Sequence, residues 1–320
     1  MRWILALLLG LLAACAHAKD TPPPLPPAEK RIALSFDDVP RAPGAFLTEE
    51  ERTELLIANL AEAGVEQAAF FVNPGRIDGP DDTRRIAAYV AAGHVIANHS
   101  ANHPRLSQTG LTEYLADIDA SEERLRDRDG YRPWFRYPYL DEGQQDAAKR
   151  DAVRAALAKR GLVNGYATVD ASDWFYEGAA KRAVAQGKAI DREALRKLYV
   201  EAHVDAAEFY DTLARKAIGR SPAHVLLLHE TDLAALWIGD LVRALEAKGW
   251  TIVSADEAYA DPFAQRARTY DTPSAQGTLT EMVAWDKGLP APRWYRGNNT
   301  DLAQQWFDTR VLGEARETDD

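Results

Sequence analysis

The chain has a single cysteine, Cys15, so it can form no internal disulfide. Positive charge is also in short supply. The 38 Lys and Arg stand against 49 Asp and Glu, a formal net charge of −11. This argues against a nucleic-acid partner, which would call for a basic domain or stripe. A polyanionic partner is disfavoured for the same reason, while a neutral sugar is not. Long apolar runs are missing as well. Trp3–Leu12 is apolar but shorter than the ~20 residues of a membrane-spanning helix, and no later segment is apolar enough to cross a bilayer. What is present is an ordinary globular composition, 46% hydrophobic and 27% charged, over 320 residues, room for one large domain or two ordinary ones.

Arg2 followed by the apolar run reads as an export signal over residues 1–18. Two processing sites compete. Ala16-His17-Ala18 fits ordinary signal peptidase, whereas Leu12-Ala13-Ala14-Cys15 resembles the bacterial lipobox, whose cysteine is lipidated. A lone cysteine at that point favours Cys15 as a lipid attachment site. The expectation is an exported protein, in the periplasm or at the cell surface, touching a membrane only through its N-terminal lipid. Ala16 rather than Asp after the cysteine suits an outer membrane. Residues 19–30 follow as a Pro-rich linker whose segment Thr21–Pro27 is a stiff polyproline spacer.

From Arg31 short apolar runs alternate with longer helical stretches. Strands are expected at Ile32–Phe36, Gln67–Val72, Val95–Asn98, Trp134–Arg136, Tyr166–Val169, Val225–Leu228 and Thr251–Ser254. Thr48 with Glu51 forms a capping-box pattern, and Gly64, Gly93, Gly161 and Gly249 sit where helices should end. After Asp232, the i, i+4 series Leu233, Trp237, Leu241, Leu245 makes one apolar stripe. About seven β/α units imply an α/β fold with a parallel sheet, either doubly wound or a barrel. Residues 177–220 read as a charged helical insertion. Residues 261–320 form a C-terminal tail carrying Trp285, Trp294, Tyr295 and Trp306, which either pack it onto the domain, the favoured reading, or line a sugar groove.

Polar residues recur where strands end. Asp37 and Asp38 follow the first strand, His99 the third, Arg136 ends the fourth, Asp173 lies past the fifth, and His229 closes Val225–Leu228. In parallel α/β folds the active site lies at the C-terminal ends of strands. His99 and His103, at i, i+4 on a helical turn, would offer two imidazoles to one metal ion. The adjacent carboxylates Asp37 and Asp38 repel unless a cation or shared proton relieves them. Taken singly, a solvated turn, a surface histidine pair, a structural arginine bridge and a core histidine would explain these features. Five at equivalent positions point to one mouth.

In this order and spacing, Ser35-Phe36-Asp37-Asp38, His99-Ser100-Ala101-Asn102-His103, Arg136-Tyr137-Pro138-Tyr139, Asp170-Ala171-Ser172-Asp173-Trp174 and Leu226-Leu227-Leu228-His229-Glu230 resemble the five motifs of the polysaccharide deacetylase family, or nodulation-type chitooligosaccharide deacetylase homology domain. The resemblance covers residues 31–260 and implies a distorted (β/α) barrel of about seven parallel strands. It also implies Asp38, His99 and His103 as ligands of a divalent metal, Zn2+ or else Co2+ or a similar ion. Asp37 becomes the general base, held by Arg136. The Tyr139 backbone N–H stabilises the oxyanion. His229 becomes the general acid, with Asp173 tuning it or anchoring Arg136, and Trp174 and Leu227 wall the acetyl pocket. Val39, Leu140 and Glu230 depart from the family's usual Gly, Gly and Asp, which reshapes the mouth without removing a functional group. The implied activity is deacetylation of an N-acetylated glycan. Its rivals are an O-acetyl esterase, a non-catalytic sugar-binding lipoprotein, and a metal-dependent amidohydrolase of small cyclic amides or peptides.

Overall fold

The computed structural model describes residues 29–314, so the signal, Cys15 and nearly all of the linker lie outside the described residues. Among the described residues ten strands occur in chain order: β1 (Lys30–Val39), β2 (Ala69–Val72), β3 (Val95–Asn98), β4 (Tyr131–Phe135), β5 (Asp141–Gln144), β6 (Val163–Asn164), β7 (Val169–Asp170), β8 (Ala223–His229), β9 (Trp250–Ile252) and β10 (Ala275–Gln276). Eight form one parallel sheet in the order β6-β4-β3-β2-β1-β8-β7, with β9 pairing to the start of β1.

The two outermost strands, β6 and β7, are joined by residues 165–168 alone. That link spans at most ~18 Å even when extended, so the sheet must curl until its edges almost meet. The link also continues both edges, through Gly165 N–H to Phe135 O (2.7 Å) and Thr168 N–H to Val225 O (2.9 Å). This is the distorted (β/α) barrel. One expected strand, Tyr166–Val169, is instead this seam followed by the two-residue β7.

Alternation along the strands sorts the two faces. Ile32, Leu34 and Phe36 of β1 join the core beneath the helices, while Ala33 of β1, Ala69 and Phe71 of β2, Val95 and Ala97 of β3, and Val225 of β8 join the inner cluster. Small residues dominate the inner face because a nearly closed sheet leaves little room there. Gly165 shows how little: a Cβ there would stand 2.6 Å from the Phe71 ring.

The local signals hold. Thr48 caps the helix Glu49–Glu62 in a capping box with Glu51. Gly64, Gly93, Gly161 and Gly249 all take positive φ just past helix ends. The helix Asp232–Ala247 buries Leu233, Trp237, Leu241 and Leu245. The helical passage expected at 177–220 begins earlier, as helices Asp173–Ala185 and Arg192–Ile218. It is the crossover from β7 to β8, and its Tyr176, Leu195, Leu198 and Tyr199 belong to the main core. The tail is more ordered than its composition suggests, with helices Leu279–Asp286 and Thr300–Arg310. It covers the seam, through Leu279 N–H to Ala167 O (2.8 Å) and Thr280 Oγ1 to Thr168 O (2.9 Å). Trp285, Tyr295 and Trp306 pack inward, whereas Trp294 does not.

Candidate metal centre and catalytic pocket

The inward register carries the polar residues to one end of the barrel. Ser35 and Asp37 continue the Ala33 face, His99 continues Val95 and Ala97, Arg136 continues Trp134, and Leu227 and His229 continue Val225. Asp37 and His229 are direct partners across the β1–β8 ladder. Asp38, by alternation, should face away. Between β1 and β2 the register runs Phe36↔Phe70 then Val39↔Val72, so Asp37 and Asp38 together oppose one residue. This is a β-bulge, a device that re-aims side chains, and Asp38 sits in it with φ 67°. Both carboxylates therefore line the pocket. They lie within β1, which runs on to Val39, rather than after it.

The histidine pair needs a correction. Residues 99–103 form a loop after β3, not a helical turn, and Ser100 (φ 64°) and His103 (φ 59°) are left-handed. A helix is excluded by that backbone; the rings meet because the chain doubles back, with centroids 4.8 Å apart. Left-handed non-glycine residues also occur at Tyr139, Leu140 and Ser172, all on the pocket wall. Strain of this kind persists only where surrounding structure imposes it.

Asp38, His99 and His103 present donor atoms that all lie within 4.8 Å of one another. His99 Nδ1 lies 2.9 Å from the Arg136 carbonyl, which can only accept. The proton is thus on Nδ1, and the bare Nε2 faces the carboxylates, 3.9 Å from Asp38 Oδ1 and 3.6 Å from Asp37 Oδ2. Asp38 Oδ1 is buried and receives no well-aligned hydrogen bond, although His103 Nε2 and Arg76 Nη1 each lie 3.1 Å away. Burial pushes both imidazoles down to about 3, so they are neutral. Burial would raise Asp38, but the charges of His229, Arg41 and Arg76 outweigh it and hold the carboxylate well below its usual range. Two neutral imidazoles and an ionised carboxylate around an unsatisfied oxygen fit a divalent cation.

Arg136 is wholly buried and uses all five N–H donors. Nε bonds Gly165 O, Nη1 bonds Ser35 Oγ (3.0 Å) and Asp37 Oδ1 (2.6 Å), and Nη2 bonds Tyr166 O and the Tyr259 hydroxyl (2.8 Å). Its guanidinium also stacks over Phe71 at 3.9 Å. Burial raises the Asp37 carboxyl, and Arg136 only partly reverses this. His229 is held differently. Both oxygens of the buried Asp173 engage it, Oδ1 at Nδ1 (2.7 Å) and Oδ2 at the backbone N–H (2.8 Å). Asp173 therefore orients His229; Arg136 is anchored elsewhere.

The resulting cavity, of about 590 Å3, brings together Asp37, Asp38, His99, His103, Tyr139, Trp174, Leu227 and His229. It also holds residues that the strand-end pattern did not single out: Arg41, Arg76, Arg105, Asp170, Gln276 and Asn298. Burial pushes Asp170 up to about 6. Tyr259 carried no local signal, since its role depends on a hydroxyl meeting a residue over a hundred positions earlier. The departures have partners too. Glu230 is buried and accepts from the Tyr89 hydroxyl (2.7 Å) and Arg41 N–H (2.9 Å), pinning the loop after β1.

Residues 25–162 match the polysaccharide deacetylase family. The chain is 34% identical over 109 residues to the peptidoglycan-N-acetylglucosamine deacetylase of Bacillus cereus, covering 34% of this chain and 36% of that protein. It is 29% identical over 161 residues to peptidoglycan-N-acetylglucosamine deacetylase PgdA of Listeria monocytogenes, covering 49% and 30%. The matches thus span about a third of the length of these relatives. Among solved structures, the chitin deacetylase of the fungal pathogen Colletotrichum lindemuthianum shares the fold, with a TM-score of 0.50 at 20% identity over 73% of this chain and 89% of that one. The motifs gathered at one barrel mouth thus accompany a match of residues 25–162, somewhat under half of the chain, to the polysaccharide deacetylase family.

Proposed function

We propose that the protein is a divalent-metal-dependent hydrolase that removes acetyl groups from N-acetylated amino sugars of a polysaccharide or oligosaccharide. The observation that carries this reading is one cavity holding a three-ligand cluster, an arginine-bound carboxylate and a carboxylate-bound histidine. An acetamide is a weak electrophile with a poor leaving group, so its hydrolysis needs a polarised carbonyl, an activated water and a proton for the amine. Asp38, His99 and His103 would hold a divalent cation, which would supply Lewis acidity to the carbonyl and to the attacking water; the ligand set suits zinc best and admits cobalt or a similar ion.

Asp37, kept basic by burial and fixed by Arg136, takes a proton from the water, a role worth ~10²–10⁴ in rate. The Tyr139 backbone N–H donates to the oxyanion. His229, kept protonated by Asp173, delivers a proton to the departing amine. Trp174 and Leu227 bound the acetyl methyl. On the sequence evidence we place the enzyme outside the cytoplasm, in the periplasm or at the cell surface, tethered by a lipid on Cys15.

Acetate release, with zinc and with chelator, on N-acetylglucosamine oligomers, peptidoglycan and acetylated xylan tests the proposal. Chelator-sensitive release from an amino-sugar substrate is expected. Release from xylan alone would make the protein an O-acetyl esterase. Binding without release from any substrate would make it a sugar-binding protein.

A further inference from the structure

Among the described residues the exposed large aromatic side chains are Tyr139, Trp174 and Trp294, 48%, 45% and 45% exposed. Two of them wall the catalytic cavity. The third, Trp294, belongs to the C-terminal tail and walls a second cavity of about 530 Å3 with Trp285, Arg293, Asn299 and Thr300. Gln276 and Asn298 line both cavities, so the two adjoin.

The tail is fixed to the catalytic loops at this junction. β10 pairs with β5, directly after the Tyr139 turn, and Gly277 N–H bonds Leu140 O at 3.1 Å. Asn298 Nδ2 donates to Asp170 O at 3.1 Å, and Ser172 Oγ donates to Asn298 Oδ1 at the same distance. An exposed indole on a cavity wall offers a flat apolar face that a ligand can cover. The lining tells what would. Half-buried Trp285 carries the Arg293 guanidinium at 4.9 Å, and Arg293 Nη1 donates to Leu289 O at 2.8 Å, which fixes the cation at the cavity wall. The exposed Trp294 indole beside amides, a hydroxyl and the Arg293 cation suits a pyranose ring, whose C–H face is apolar and whose rim carries hydroxyls.

We propose that residues 262–312 build a second saccharide subsite on Trp294 and Trp285, so that the substrate is a sugar chain occupying both cavities. The proposal rests on the deacetylase reading above and adds a requirement for chain length, set by a segment outside the matched residues 25–162. Recognition beyond the reacting sugar positions the acetyl group, so it should appear in kcat/KM.

The test is kcat/KM on N-acetylglucosamine oligomers from one to five units, for the full-length protein and for Trp294→Ala and Trp294→Phe, with thermal denaturation as a folding check. Trp294→Ala should lower the ratio of pentamer to dimer kcat/KM by roughly tenfold, the upper range of one aromatic contact. Trp294→Phe should recover part of that ratio. A wild-type enzyme that acts on oligomers without length dependence would overturn the subsite alone, as would an equal loss at every length in Trp294→Ala. Failure of the wild type to release acetate from any oligomer would overturn the deacetylase reading, and the subsite with it.

Discussion

Asp173 grips His229 at two points, one oxygen 2.7 Å from the ring Nδ1 and the other 2.8 Å from the backbone N–H. The bidentate hold fixes both the ring's rotation and its tautomer, leaving Nε2 free to carry a second proton into the cavity. Burial disfavours the imidazolium, but the Asp173 charge and hydrogen bond, with Asp38 beyond, outweigh it and place His229 above its ordinary value. The same contact, against the opposing cost of burial, holds Asp173 below its own.

An acid catalyst with a raised pKa keeps its proton further into the alkaline range. The alkaline limb of kcat/KM should therefore lie above pH ~6.5. Asp173→Asn should move it to lower pH and reduce kcat by roughly 10²-fold or more. A limb that stays put in Asp173→Asn would remove His229 as the acid. In folding, the raised His229 stabilises fully below ~6.5 and loses its contribution as pH rises through the folded value, whereas Asp173 contributes above ~3.9 and loses it as pH falls.

Asp37→Asn keeps the shape of the side chain and removes its basicity. Turnover should fall by ~10²–10⁴ while zinc affinity, measured by calorimetry, stays within a few-fold. Near-normal turnover would reassign the base.

Metal should stabilise the fold through its three ligands. At about a hundredfold excess over Kd, zinc should add ~2.7 kcal/mol to the unfolding free energy. His103→Ala should abolish the accompanying rise in Tm and weaken zinc binding by more than the ~10–100-fold typical of outer-shell partners. An unchanged zinc response in that variant would take His103 out of the ligand set.

The seam offers a purely structural check. Gly165→Ala places a methyl 2.6 Å from the Phe71 ring, on which Arg136 stacks. Overpacking of this kind costs ~1–3 kcal/mol, and displacement of Arg136 should lower kcat as well. Wild-type stability by denaturant titration would show that the link is looser than it stands here.

Local order was legible because it is written in neighbouring residues. The helix-closing glycines, the Thr48–Glu51 capping box, the apolar stripe after Asp232 and the strand at Val95–Asn98 each depend on backbone preferences or on a short period. The placement of Asp37, His99, Arg136 and His229 at strand ends was equally readable, because parallel strands bring their C-terminal ends to one side. Only the tertiary structure decided how Asp38 joins them, through a bulge that two residues of β1 make against one of β2. It turned the His99–His103 segment into a left-handed loop, joined Arg136 to Tyr259 across 123 positions, and laid Gln276 and Asn298 against the mouth. Those relationships hold between residues far apart in sequence, whose meeting depends on how far the sheet curls and where the tail returns, and no local pattern encodes either.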